Sequence, residues 1–221
     1  MTRLDLFATP VFLLDMPALE PLNAELSARL LEEEQHSPGI QRSNLGGWHS
    51  TTDLATRPDA CFQALSAAIV ESVRNVAPLV ATPVPPPPPR FSMMQAWAMI
   101  MRNGDYTIVH DHGEAAWSTV YYVDAGDTEN EPSAGLVFTD SRARVKPLPQ
   151  FGLFETSFTI QPRAGMLVVF PGFLRHQVTT YQGTRPRISI AANVRMEAQP
   201  VEVERSSSDG VSAESGVTIG V

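Results

Sequence analysis

"YTIVHDHGEAAWSTVYYV", residues 106–123, sets β-branched and aromatic residues on both sides of a short segment of histidines and carboxylates. Neither half has the three- and four-residue apolar spacing of an amphipathic helix, and both read as strands. The same texture runs through the segments around it. "FSMMQAWAMIMRNG", "SAGLVFTD", "FETSFTIQP", "AGMLVVFPG", "RHQVTTY" and "RPRISIAANVRM" are short apolar or alternating runs cut by Gly, Pro, Asp and Asn. About eight such strands with no long helix between them predict an antiparallel barrel or jelly roll.

The N-terminal part reads differently. Leu19, Leu22, Leu26 and Leu30 recur at helical spacing, and so do Phe62, Leu65, Ile69, Val73 and Val76, with Asp59 placed as an N-cap. Between these two helices lies "SPGIQRSNLGGWHSTTDL", a Gly- and Ser-rich connector holding Trp48 and His49. His49 in this setting reads as a packing residue, with lining a substrate entrance as the alternative. Five consecutive prolines at 85–89 can be neither helix nor central strand. They predict a polyproline II spacer, with a site for a proline-reading partner as the alternative. The expected organisation is mainly β with N-terminal helices (α+β), a single domain over 1–204. A helical layer covers 1–80, the proline connector 81–90 and the β core 91–197; residues 205–221 form a weakly structured tail.

Composition narrows the function. With 43% hydrophobic and 18% charged residues the 221-residue chain is globular. A net charge of −8 argues against a nucleic-acid surface, which wants clustered Lys and Arg. No apolar run approaches the ~20 residues of a membrane helix. The opening "MTRLDLFATPVF" lacks the basic start and apolar run of a signal peptide, and the single cysteine, Cys61, allows no internal disulfide. A cytoplasmic location without membrane association is expected, with Cys61 filling core space. A homodimer through a sheet edge or the helices is a possible assembly.

The segment "HDHGE" offers four candidate ligands. On a strand, His110 and His112 share a face and Asp111 points the other way. His-x-His is a credible two-ligand unit, since imidazole suits iron, zinc, copper and nickel. His112-x-Glu114 is the rival pair, provided Gly113 does not end the strand. A third ligand has to come from elsewhere, and His176 is the candidate, emerging just after the Pro171-Gly172 break. His36 reads as a surface residue. Eleven residues beyond His176, "RPRISIAAN" places Arg187 and Ser189 on one strand face and Ile188 and Ile190 on the other. If Arg187 faces the barrel interior it needs an anion, and its planar guanidinium suits a carboxylate; if it faces outward it is an ordinary surface arginine. Parity leaves both open.

The order His-x-His, "FPGFLRH", then Arg-x-Ser at plus eleven resembles the Fe(II)/2-oxoglutarate-dependent oxygenases, whose core is a double-stranded β-helix, a cupin-like jelly roll. More narrowly, "LFATPVF", "SNLGGWHS", "AWAMIMRNGDYTIVHDH", "WSTVYYV", "AGMLVVFPGFLRH" and "RPRISIAAN" resemble the bacterial and phage 2OG-Fe(II) oxygenase family. The resemblance implies Fe(II) on His110, His112 and His176, with Glu114 in reserve, and 2-oxoglutarate held by Arg187 and Ser189. It also implies oxidation, by default hydroxylation, of a second substrate, a small molecule or a peptide. Tyr121 is a further candidate contact to the co-substrate, beside Tyr106 and Tyr122. The wider superfamily has Asp or Glu two residues after the first histidine, whereas this chain has His112. Two other readings compete. A cupin-type three-histidine dioxygenase or isomerase would use the metal without 2-oxoglutarate, and a non-catalytic β-barrel binding module would use neither. Loops at 126–134 and 141–153 and the Trp48–His49 connector are expected to wall the pocket.

Overall fold

The computed structural model describes residues 8–80, 88–127, 133–140 and 155–199. The tail, most of the proline run and most of the two expected pocket loops lie outside these residues. Two α-helices, α1 (Asn23–His36) and α2 (Ala60–Val76), occupy the N-terminal part, interleaved with β1 (Phe12–Asp15), β2 (Asn44–Leu45) and β3 (Trp48–His49). The β region follows as β4 (Arg90–Met101), β5 (Tyr106–Thr107), β6 (Trp117–Asp124), β7 (Leu136–Thr139), β8 (Ser157–Ile160), β9 (Met166–Pro171), β10 (His176–Val178) and β11 (Arg187–Glu197).

A six-stranded sheet in the order β1-β9-β6-β11-β4-β3 faces a three-stranded sheet in the order β10-β7-β8, and β2 pairs with β5. All these pairings are antiparallel. This is the jelly-roll arrangement expected from the short-strand texture. The large sheet lies between the helices on one side and the small sheet on the other, so its strands bury both faces. That is why "GMLVVF" is apolar without a break: Leu167 and Val169 pack toward the helices, Met166, Val168 and Phe170 toward the small sheet.

The helices are built as their spacing predicts. Phe62, Leu65, Ile69, Val73 and Val76 are all buried, as are Leu26, Leu30 and Cys61. They pack on Ala96, Ala98 and Ile100 of β4 and on Ile188, Ile190, Ala192 and Val194 of β11. Asp59 does occupy the N-cap position of α2, but its side chain makes no cap hydrogen bond and accepts one from Arg29 Nη1 at 2.5 Å instead. No helix among the described residues is long and apolar enough to cross a membrane.

The pairing of β6 with β11 sets the phase of the site and carries one irregularity. Between β11 and β6 the register slips so that Ile190 faces Tyr121 and Ser189 faces Tyr122, but Ile188 faces Asp124, leaving Val123 as the extra residue of a bulge. Before the bulge the strand alternates regularly, so Tyr121 belongs with Trp117 to the helix-side core and Tyr122 with Val120 to the interior between the sheets.

Candidate metal centre and co-substrate chamber

The segment "HDHGE" is not a strand. β5 ends at Thr107, His110 makes an isolated antiparallel bridge with His176, and a turn follows at 113–114. The bridge is a reciprocal pair of 2.9 Å hydrogen bonds: each histidine's backbone N–H donates to the other's carbonyl. His112 is placed separately. Its N–H donates to the Gly172 carbonyl at 2.7 Å, and its own carbonyl accepts from Ala115 at 2.8 Å. A Cβ on Gly172 would stand 2.3 Å from the Ala115 oxygen and 2.6 Å from that of His112, so glycine is needed for this approach. The Pro171-Gly172 break thus positions two histidines, His112 by direct support and His176 by the turn that Leu174 N–H closes onto Pro171 at 3.0 Å.

His110, His112 and His176 bring their ligand atoms within 4.8 Å of one another. Their ring centroids are 4.4 Å (His110–His176), 5.1 Å (His110–His112) and 5.2 Å (His112–His176) apart. Two rings are fixed in the same way. Nδ1 of His110 bonds to the Ile108 carbonyl at 2.8 Å and Nδ1 of His176 to the Leu174 carbonyl at 2.9 Å. A carbonyl only accepts, so Nδ1 carries the hydrogen and Nε2 presents its lone pair. Burial lowers all three pKa values, to about 4 at His112 and about 3 at His176, and the neighbouring histidines add to the shift at these two. The rings are therefore neutral at pH 7, the protonation state a metal requires.

The remaining candidates separate cleanly. Asp111 is exposed, as expected, and its carboxylate accepts the Gly113 N–H at 3.2 Å. Glu114, the reserve ligand, is also exposed in the 113–114 turn and stands outside the histidine cluster, because the chain turns at Gly113 rather than continuing as a strand. His36 bonds to its own helix at the Glu32 carbonyl. Of the two roles expected for His49, packing and lining an entrance, it takes the second and lines the space beside the three histidines.

Arg187 resolves its parity inward. It is 1% exposed and lines a cavity of about 70 Å³ together with the three histidines, Tyr122 and Ser189. Its guanidinium contacts are long and neutral: Nη1 at 3.4 Å from both the Met101 thioether and the Ser189 hydroxyl, Nη2 at 3.5 Å from the Ala134 carbonyl. Nε has no partner, and no carboxylate pairs with Arg187 among the described residues. Tyr122 lies under the guanidinium, ring centroid 5.1 Å from Cζ, and its buried hydroxyl is likewise unpartnered. Burial pushes the Tyr122 hydroxyl up and the Arg187 guanidinium down from their ordinary values. A buried cation costs several kcal/mol unless an anion neutralises it. Tyr121, the other tyrosine considered, donates to Asn23 Oδ1 at 2.8 Å on the helix side and does not reach the cavity.

Residues 95–193, which contain every group of this site, match the family model described as "Putative 2OG-Fe(II) oxygenase". The β core matches that family over nearly its whole length. It is therefore the core of a non-haem iron dioxygenase, and its cofactors are Fe(II) and 2-oxoglutarate. The double-stranded β-helix fold is shared with solved structures of low identity. A prolyl-4-hydroxylase from Pseudomonas putida is 17% identical with a TM-score of 0.59, over 86% of this chain and 95% of that one. The α-ketoglutarate-dependent epimerase SnoN of nogalamycin biosynthesis is 14% identical with a TM-score of 0.59, over 93% and 90%. HygX from Streptomyces hygroscopicus, solved with nickel and 2-oxoglutarate bound, is 10% identical with a TM-score of 0.56, over 85% and 83%. None of the curated proteins matches the sequence.

The site's chemistry fits both cofactors. Three neutral imidazoles suit a divalent transition metal and leave coordination positions for other ligands. Arg187 and Tyr122, whose Nε and hydroxyl lack hydrogen-bond partners, line the same cavity, and donors of this kind are what a buried carboxylate needs.

Proposed function

We propose that the protein couples oxidative decarboxylation of 2-oxoglutarate to hydroxylation of a C–H bond in a second substrate. In balance, 2-oxoglutarate, dioxygen and R–H give succinate, carbon dioxide and R–OH. His110, His112 and His176 would hold Fe(II) through Nε2 of His110 and His176 and a ring nitrogen of His112. Arg187 would take the distal carboxylate of 2-oxoglutarate, with Ser189 and Tyr122 as further donors. The single observation that carries this reading is Arg187 buried to 1% exposure with no acidic partner, in the same cavity as the three histidines.

When bound, the iron and 2-oxoglutarate supply the redox chemistry. The chain's own part is to bind, orient and exclude water. The Ile108 and Leu174 carbonyls hold the His110 and His176 rings in one tautomer. Phe170 packs edge-on against His176 with centroids 4.8 Å apart, and Leu136 and Val178 complete an apolar wall that keeps bulk water from the co-substrate. The cupin-type reading would leave Arg187 buried with no anion to meet, and that is why 2-oxoglutarate is favoured.

Anaerobic titration with Fe(II) and 2-oxoglutarate tests this directly. The wild type is expected to develop the weak visible charge-transfer band of an iron–2-oxo acid chelate, and to release succinate once oxygen is admitted. His176→Ala should lose iron and band together. A protein that binds iron without ever developing the band would sink the 2-oxoglutarate assignment.

A further inference from the structure

His110 and His112 also border a cleft of about 290 Å³ open to solvent, which shares Ser43, His49 and Trp97 with the Arg187 chamber and is lined in addition by Arg42, Thr52, Gln95 and Asp111. That volume is at the lower end of small-molecule clefts. Resting on the reading of the histidines as the iron site, we infer that this cleft takes a small apolar amino acid or hydroxy acid as the primary substrate. Its carboxylate would lie on Arg42, its N–H or O–H on His49 and its apolar body on Trp97.

Three observations support the assignment. Arg42 has no ion-pair partner among the described residues; the exposed Arg90 and Arg175 share this, but of the three only Arg42 lines the cleft. A guanidinium at the lip of a cleft with no protein anion to meet is set up for a carboxylate from outside.

His49 supplies the second. It is 4% exposed, and its Nδ1 donates to the Ser50 carbonyl at 2.6 Å, which leaves Nε2 as an acceptor with no partner among the described residues. Burial lowers its pKa, with Arg42 adding to the shift, so the ring is neutral at pH 7. An acceptor left without a protein partner on a residue that lines a cleft favours a ligand with a hydrogen to donate.

The third is aromatic. Trp97 is stacked on His49, with centroids 5.9 Å apart and planes within 6°, and it meets the His112 ring at 5.4 Å. Its half-buried indole therefore forms an apolar floor immediately beside a proposed iron ligand, which would bring an aliphatic or aromatic side chain close to the reacting centre. Asp111 lines the same cleft and has no cationic partner among the described residues. An α-ammonium would meet it there, which favours the amino acid over the hydroxy acid.

Anaerobic calorimetry on the protein loaded with Fe(II) and 2-oxoglutarate tests the assignment. The probes are L-phenylalanine, L-phenyllactate, 3-phenylpropanoate and L-phenylalanine amide. L-Phenylalanine is expected to bind most tightly and phenyllactate next, with the amide and the donor-free phenylpropanoate each weaker by about tenfold. Arg42→Gln should remove the preference for the acid over the amide. His49→Phe, which keeps the stack on Trp97, should remove the preference for phenyllactate over phenylpropanoate. Equal binding of acid and amide, no binding of any probe, or preferences untouched by these substitutions would overturn the cleft assignment while the charge-transfer band stands. If the band itself never forms, the iron reading falls and this inference with it.

Discussion

The two faces of β11 are made from alternating residues of one strand and do opposite jobs. Ile188, Ile190, Ala192 and Val194 face the helices and disappear into a core in which every apolar contact is satisfied. Arg187, Ser189 and Ala191 face the interior and line a cavity where a buried cation and a buried hydroxyl lack partners. The first face stabilises the fold; the second lowers its stability, and under the proposed function it is the face that binds. Residues one peptide apart thus belong to different balances, and substitutions should separate them.

The largest effect is expected at Arg187. Arg187→Met should weaken 2-oxoglutarate binding by about 100-fold or more, read from titration of the charge-transfer band, since a charge-assisted bidentate contact is lost. The same substitution removes an uncompensated buried charge, so the ligand-free protein should gain about 1–3 kcal/mol in urea denaturation. On the opposite face, Ile190→Ala should do the reverse. It should cost about 2–4 kcal/mol of stability through lost burial and a cavity, with 2-oxoglutarate affinity nearly unchanged in the folded fraction.

The histidines add a pH dependence that the helix-side core lacks. In the unfolded chain histidine titrates near 6.5, whereas folded His112 and His176 take up protons only near 4 and 3. Between these limits the unfolded chain binds more protons, so metal-free protein loses stability as pH falls from about 6.5. The slope should be about 1.4 kcal/mol per pH unit for each histidine. Stability should level off above that range. Urea midpoints measured from pH 4.5 to 8 check both parts, and a flat profile below pH 6.5 would contradict the burial of neutral rings.

The smallest effects come from adjacent tyrosines. Tyr122→Phe should weaken 2-oxoglutarate binding by a few-fold, about 1 kcal/mol, with stability level or slightly raised because an unpartnered buried hydroxyl goes. Tyr121→Phe loses the bond to Asn23, so stability should fall by about 1 kcal/mol and co-substrate affinity should not move. If Tyr121→Phe altered affinity instead, the register placing Tyr122 opposite Ser189 would be wrong.

Much of this site could be read in the chain. His110, His112 and His176 were candidates from residue type, spacing and the Pro171-Gly172 break, and Arg187 with Ser189 from their place on one face of a strand. Two details escaped. Tyr121 and Tyr122 are both candidates from residue type, and the pairing that runs unbroken from Trp117 opposite Val194 to Tyr122 opposite Ser189 has no signature in "WSTVYYVD". His49 and Trp97 are 48 residues apart, and nothing local predicts the parallel stacking that sets them beside the histidines.

By itself the sequence determined the secondary elements and their layers, because apolar periodicity records which face of each element must leave water. It also supplied the ligand types, because imidazoles and a guanidinium are chemically distinctive wherever they fall. Only the tertiary structure decided which of those groups converge. His110 and His176 meet through reciprocal backbone hydrogen bonds across 66 positions, and "HDH" delivers two histidines to one point through a bridge and a turn rather than by strand alternation. Arg187 faces inward because the helices claim the isoleucine face of β11. Such outcomes depend on which surfaces meet, and that is settled by packing between segments distant along the chain.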